Sequence, residues 1–96
     1  MSEEKRRAGD YEIIQAVQIG DCEIVVGENM ADENNLPYMV AYYEYNAIMG
    51  RYFEAVGSDD FPEIMEIYGQ RIMEQAQKTR ADLSKPKIQG IDNSLI

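Results

Sequence analysis

Carboxylates are the groups in this sequence whose number and spacing are best suited to chemistry or to binding. The chain has 18 acidic and nine basic residues, no His and one Cys, and its formal net charge is −9. Residues 10–70 contain thirteen acidic residues and a single basic one, Arg51. This composition excludes a histidine base, an intrachain disulfide and a zinc site built from Cys and His. The chemistry open to the chain is therefore that of its carboxylates.

Two groups of carboxylates are candidates for a functional site. One lies on a long polar loop, and the other lies where a helix begins; together they comprise Glu28, Asp32, Glu33, Asp59, Asp60, Glu63 and Glu66. Carboxylates at such spacing can share Mg²⁺ or Ca²⁺. The loop does not match a calcium-binding template, however, and helix capping explains the two aspartates. We therefore predict no metal ligands and no cofactor.

The same carboxylates are poor candidates for catalysis. Acid–base work by a pair of carboxyl groups needs one of them in an apolar pocket and its neighbour in a polar setting. A small open sheet offers little pocket of that kind. We therefore predict that the protein is not an enzyme.

The negative charge itself points to a class of partner. An acidic domain repels nucleic acid, because Lys and Arg supply most of the affinity for phosphates. It is attracted to basic surfaces, and its field accelerates the encounter. Carboxylates in a row can also imitate a nucleic-acid backbone and occupy the basic channel of a nuclease or polymerase. The alternative is that the charge only keeps a small domain soluble.

Aromatic residues form a second candidate for binding. Residues 38–45 include aromatic side chains at both odd and even positions, so both faces of a strand there would carry them. Tyr52 and Phe53 follow on the next predicted strand. Half of these side chains can form core, and Tyr42 and Tyr43 are candidates for a partner-binding patch, because Tyr is enriched in interface hot spots. The alternative is that all of them pack inside the domain. Cys22, without a His partner, is typical of a small buried apolar residue.

The elements that must position these residues follow from periodicity and turn signals. Alternation predicts strands over Tyr11–Ile19, Cys22–Gly27, Tyr38–Tyr45 and Met49–Val56. Gly20-Asp21 is a hairpin turn that pairs Ile19 with Cys22 and Val17 with Ile24; Asn46-Ala47 is a weaker turn. A helix is predicted over about Pro62–Leu83, capped by Asp59 or Asp60. Its apolar stripe comprises Phe61, Met65, Tyr68, Ile72, Ala76 and Leu83, widened by Ile64 and Ile67.

These elements predict an α+β fold, a four-stranded antiparallel β-meander with one long C-terminal helix packed across one face. We expect a disordered leader over residues 1–9, a single ββββα domain over residues 10–83, and a tail over residues 84–96 that is apolar enough to dock. The charged N-terminus lacks the apolar stretch of a secretory signal, and no run is long enough to span a membrane. We therefore expect a cytoplasmic protein without membrane contact.

Three stretches together carry a resemblance. They are YEIIQ at residues 11–15 leading into IGD at 19–21, SDDF at 58–61 leading into EIM at 63–65, and EQA at 74–76 running to KP at 85–86 and GID at 90–92. They resemble small cargo proteins carried on conjugative elements and prophages of gut Firmicutes, over most of residues 11–92. The resemblance implies a protein of a mobile genetic element and assigns no activity. By analogy of genetic context and charge, such acidic cargo proteins are similar to inhibitors of host defence, including anti-CRISPR proteins.

The sequence thus predicts a non-enzymatic inhibitor that occupies the basic groove of a nucleic-acid-handling protein and does not bind nucleic acid itself. The alternative is a homodimeric accessory module of the mobile element that uses its open sheet face and has no inhibitory role. The inhibitor hypothesis requires that the acidic side chains gather on one side of the molecule.

Overall fold

A computed structural model of the protein describes residues 6–31, 35–45 and 48–83. The described strands form one antiparallel sheet in the order β1-β2-β3-β4-β5, and a single helix lies across one face. The elements are β1 (Arg7–Ala8), β2 (Tyr11–Ile19), β3 (Cys22–Glu28), β4 (Tyr38–Tyr45), β5 (Gly50–Ser58) and α1 (Phe61–Leu83). The predicted α+β class is confirmed, but the sheet has five strands and not four.

The extra strand lies in the segment predicted to be a disordered leader. In β1, Arg7 pairs with Glu12 and Ala8 pairs with Tyr11 across a turn at Gly9, whose φ of 63° is left-handed. Two residues are too few to show alternation, so the sequence carries no periodic signal for this strand. Residues 1–5, the predicted turn at 46–47 and the predicted tail at 84–96 lie outside the described residues.

The β2–β3 hairpin has the predicted register. Ile19 pairs with Cys22 and Val17 with Ile24, across a turn in which Gly20 has a φ of 63°. A β-bulge at Ile14 then shifts the pairing, so that Ile13 lies opposite Gly27 and Gln15 lies opposite Val26. The bulge explains why the sequence of β2 breaks its alternation near Ile14.

The bulge also divides residues that the sequence pattern places on one face. Val17 and Ile19 pack toward the helix, whereas Ile13 packs on the opposite face. We call this opposite side, which α1 does not cover, the open face. Strict alternation would place Ile13 on the same face as Val17 and Ile19, but the bulge moves it to the other face, because one extra residue exchanges the two faces of a strand.

The core beneath the helix joins the central strands to the first half of α1. Ile24, Val26, Val40 and Ile64 are fully buried there. Ile64, which the sequence pattern places at the margin of the stripe, is the most buried apolar residue of the helix, whereas Leu83 is 56% exposed and lies outside the core. No helix among the described residues combines the length and apolar character that crossing a membrane requires.

The open face has a core of its own. Val25, Met39 and Ala41 are buried there, with Tyr43 and Tyr52 packed against them. A second irregularity bends β5, because two residues, Glu54 and Ala55, lie opposite the single residue Ala41, and Glu54 adopts a left-handed φ of 54°. Bending at both bulges lets the sheet curl around this second core.

Arg6 closes the curled face from the β1 side. Its guanidinium donates two hydrogen bonds to Glu23 at 3.0 and 3.1 Å and one to the Tyr52 hydroxyl at 3.0 Å. It also lies 5.2 Å from the centroid of the Tyr43 ring, a cation–π contact. The hydrogen bond to Glu23 raises the pKa of Arg6 further above its ordinary value. Arg6 and the strand that follows it are therefore packed on the sheet.

The helix register can be tested with a charge placed under α1. Ile72 packs against the core beneath the helix, whereas its neighbour Met73 is 54% exposed. Ile72→Asp should abolish cooperative thermal unfolding, because it places an unpaired carboxylate in an apolar environment. Met73→Asp is the matched control and should lower stability by less than about 1 kcal/mol. A cooperative melt for Ile72→Asp near that of the wild type would show that the register is wrong.

The contribution of Arg6 can be measured by keeping its alkyl part and removing its charge. Arg6→Met should lower the free energy of unfolding in urea by about 1 kcal/mol, since a half-exposed bidentate ion pair and cation–π contacts are lost together. The control is Arg7→Met, an exposed neighbour, with an expected change within about 0.5 kcal/mol. Equal stability of both variants would contradict the role given to Arg6.

Candidate protein-binding site

One row of paired residues crosses the whole sheet near one of its ends. Arg7 pairs with Glu12, Glu12 with Glu28, Glu28 with Tyr38, and Tyr38 with Ser58. Neighbouring strands lie about 4.8 Å apart, so the row is at most about 19 Å wide. The β1–β2 turn, the loop between β3 and β4, and the junction between β5 and α1 all lie just beyond this row.

Acidic side chains gather at this end, because three of the chain's connections meet there. We call the group the acidic end; its described members are Asp10, Glu12, Glu28, Asp59, Asp60, Glu63 and Glu66. Glu12 and Glu28 are half-buried and the other five are exposed. Glu12 and Glu28 lie directly opposite each other, a like-charge arrangement that opposes pairing of the strands.

Local hydrogen bonds hold the helix start in place. The Glu63 amide donates to Oδ1 of Asp60 at 3.2 Å, and the Ile64 amide donates to the Asp60 carbonyl at 3.1 Å, so Asp60 is the N-cap. The buried Ser58 hydroxyl accepts from the Asp60 amide at 2.9 Å and donates to Oε1 of Glu63 at 2.7 Å. The prediction that Asp59 or Asp60 caps the helix is confirmed for Asp60.

Basic residues lie mostly elsewhere. Of the thirteen acidic and six basic residues in the described ranges, seven acids but only one basic residue, Arg7, belong to the acidic end. Glu23, near the β2–β3 turn, is paired with Arg6. The remaining five acids share the opposite end with four basic residues: Asp21, Glu44, Glu54, Glu74 and Asp82 with Arg51, Arg71, Lys78 and Arg80. The negative field is therefore concentrated at the acidic end.

The structure brings together most of the carboxylates that the sequence singled out. Glu28 lies in the same row as Ser58, next to the helix start that carries the other candidates. Asp32 and Glu33 lie outside the described residues. Sequence reasoning missed Asp10 and Glu12, because only the pairing of β2 with β3 places them beside Glu28, and no local signal in the sequence reports that neighbourhood.

The two tyrosines proposed as partner contacts are separated from the acids and from each other. Tyr42 lies under the helix, stacked on Phe53 at 5.5 Å, with the Arg71 guanidinium 4.6 Å from its ring centroid. Tyr43 lies on the open face, 4.6 Å from the Tyr52 ring. Opposite faces of one sheet cannot meet a partner as one patch. Their contacts within the domain account for both residues.

A cavity of about 450 Å³ opens at the opposite end, between the second half of α1 and the sheet. Cys22 and Tyr42 contribute to its lining, and burial raises the pKa of both side chains. The raised pKa of Cys22 favours the unreactive thiol over the thiolate. Within residues 6–31, 35–45 and 48–83, no three Cys, Asp or Glu side chains form a group that could hold a metal ion.

Comparison with known proteins gives no relative for the chain: no family model, no curated protein and no solved structure matches it.

The N-cap can be separated from the charge of the acidic end. Asp60→Ala should lower the free energy of unfolding by about 1 kcal/mol, because the Glu63 amide loses its acceptor, whereas Asp60→Asn should retain most of that stability. Asp59→Ala, at an exposed position outside the cap, should change it by less than about 0.5 kcal/mol. If urea titrations show that Asp59→Ala loses more stability than Asp60→Ala, the assignment of Asp60 as the N-cap is overturned.

Proposed function

We propose that the protein is a non-enzymatic binding protein of the anti-CRISPR type, which docks its acidic end in the basic groove of a nucleic-acid-handling protein. The observation that carries the proposal is the segregation of charge. The acidic end has seven carboxylates and one basic residue, whereas the opposite end is close to neutral. A field concentrated in this way orients an approaching basic surface, which an evenly acidic surface does not do.

The density of charge suits imitation of a nucleic acid. The described residues of the acidic end carry a net charge of about −6 at one end of a single small domain. A groove that binds phosphates would meet several carboxylates on this one surface. Occupation of the groove would then exclude the nucleic acid both by charge and by volume.

The proposed activity can be tested on a panel of purified RNA-guided DNA nucleases loaded with guide RNA. We expect the protein to displace a fluorescent target duplex from at least one of them, and the half-inhibitory concentration to rise with the concentration of the duplex. The inhibition should weaken when NaCl is raised from about 50 mM to about 300 mM, because the attraction is screened.

Two variants with equal charge changes decide whether the acidic end is responsible. The first neutralises it with Glu28→Gln, Asp59→Asn, Asp60→Asn and Glu66→Gln, in which Asn retains the helix cap. The second neutralises the opposite end with Asp21→Asn, Glu54→Gln, Glu74→Gln and Asp82→Asn. The first should weaken inhibition by about tenfold or more, equivalent to about 1.4 kcal/mol, and the second by less than about threefold. Equal effects would contradict the proposal, as would a panel that the protein leaves uninhibited.

A further inference from the structure

A groove of about 670 Å³ runs along the open face between the β1–β2 turn and β5. We call it the open-face groove. Tyr11, Leu36 and Met39 give it an apolar surface, and Ala8, Ala55 and Gly57 leave room above that surface. The Tyr11 hydroxyl donates to the backbone carbonyl of Leu36 at 2.5 Å, which ties the Tyr11 side chain to the loop before β4.

The groove exposes the backbone edge of β5. Ala55, Val56 and Gly57 are consecutive and all three line it, although neighbouring residues of a strand point to opposite faces. Part of the lining is therefore the backbone of β5. Among the described strands, β5 pairs with β4 alone. The groove therefore offers backbone donors and acceptors as well as apolar contacts.

The two borders of the groove run in the same direction. In an antiparallel meander of five strands, β1 and β5 are both directed toward the acidic end. They cannot close the curled sheet by pairing with each other as antiparallel strands. A strand added to the edge of β5 would run antiparallel to it, and it would lie nearer the acidic end than the point where Arg6 bridges to Tyr52.

Charge selects what such a strand would carry. Asp10 lines the groove at the acidic end, and the other charged residue of the lining, Arg51, donates to Glu44 at 3.0 Å. A strand antiparallel to β5 enters with its N-terminal half at the acidic end. Basic residues at the N-terminal side of the segment would therefore face the carboxylates, and apolar residues after them would lie on Met39 and Tyr11.

We propose that the open-face groove binds an extended segment of the basic partner, in which Lys or Arg residues precede alternating apolar residues, as an added strand on β5. This inference rests on the proposed function, because it names the part of the partner that the protein recognises. The groove supplies the direction and the register of binding, and the acidic end supplies the attraction.

A synthetic peptide can serve as the probe. We expect fluorescein-labelled KRKVTVTV to bind the intact chain, as measured by fluorescence polarisation, and the reversed order VTVTVKRK to bind about tenfold or more weakly. Two further peptides carry N-methyl groups on alternate amides, one along each edge of the strand. Methylation of the edge that faces β5 should abolish binding, whereas methylation of the other edge should change the affinity by less than about threefold. Absence of binding, equal affinity for both orders, or equal effects of methylation on both edges would each overturn the proposal.

Two exposed alanines give a matched pair of variants. Ala55→Trp places a bulky side chain in the groove and should weaken the peptide about tenfold or more, whereas Ala81→Trp, on the surface of α1, should have little effect. Amide shifts in NMR spectra of the wild type should localise the peptide to residues 8–10 and 55–57, a readout that does not depend on how the variant folds. Shifts confined to other residues would overturn the assignment.

Other occupants give different results. If a second copy occupied the groove, light scattering would give twice the mass of 11.0 kDa. The Ala55→Trp variant would then show a lower mass than the wild type. Tighter binding of a peptide of residues 84–96 than of KRKVTVTV would assign the groove to this chain's own sequence. Either outcome would overturn the choice of a foreign segment. If neutralising the acidic end abolishes nuclease inhibition while Ala55→Trp has no effect on it, the result would refute the role of the open-face groove and would leave the proposed function standing.

Discussion

A single helix can cover only one face of a sheet, and the rest of this structure depends on how the second face is buried. Helix α1 covers Ile24, Val26 and Val40. On the open face Val25 and Met39 are buried without a helix, because the sheet bends at two bulges and side chains from its margins close over them. The same bending brings β1 toward β5, and it thereby creates the open-face groove and curves the row of paired residues beside the acidic end.

Aromatic side chains contact three of the arginines. Arg6 contacts the rings of Tyr43 and Tyr52, and Arg51 and Arg71 lie over other rings of the sheet at 4.6 Å. The backbone places Arg51 at the start of β5 and Arg71 near the middle of α1, and the cation–π contacts hold their side chains against the sheet. Meanwhile the positive N-terminus of α1 partly offsets the repulsion among its carboxylates. The segregation of charge is therefore a consequence of packing on both faces, and it does not require a long acidic run in the sequence.

Local patterns predicted the elements that depend on neighbours in the chain. The hairpin at Gly20, the start of α1 and its cap at Asp60 follow from turn residues, helical periodicity and capping, and the structure confirms them. The bulge at Ile14 was not predictable in this way, because alternation fails there without indicating which residue is extra. The gathering of Glu12 and Glu28 depends on register, which the sequence indicates only through residues close to a turn. The two-residue strand β1 has no periodicity to detect.

Among the described strands, β1 and β5 are the edges of the sheet, and an open edge invites pairing between copies. Two features oppose that outcome here. The bulge at Glu54 interrupts the straight edge of β5, so that only the short stretch beside the groove can accept a partner. The field of the acidic end repels a second acidic copy and attracts a basic segment. Charge and strand geometry thus act on the same step, since the field that would recruit a foreign basic strand also disfavours assembly of the protein with itself.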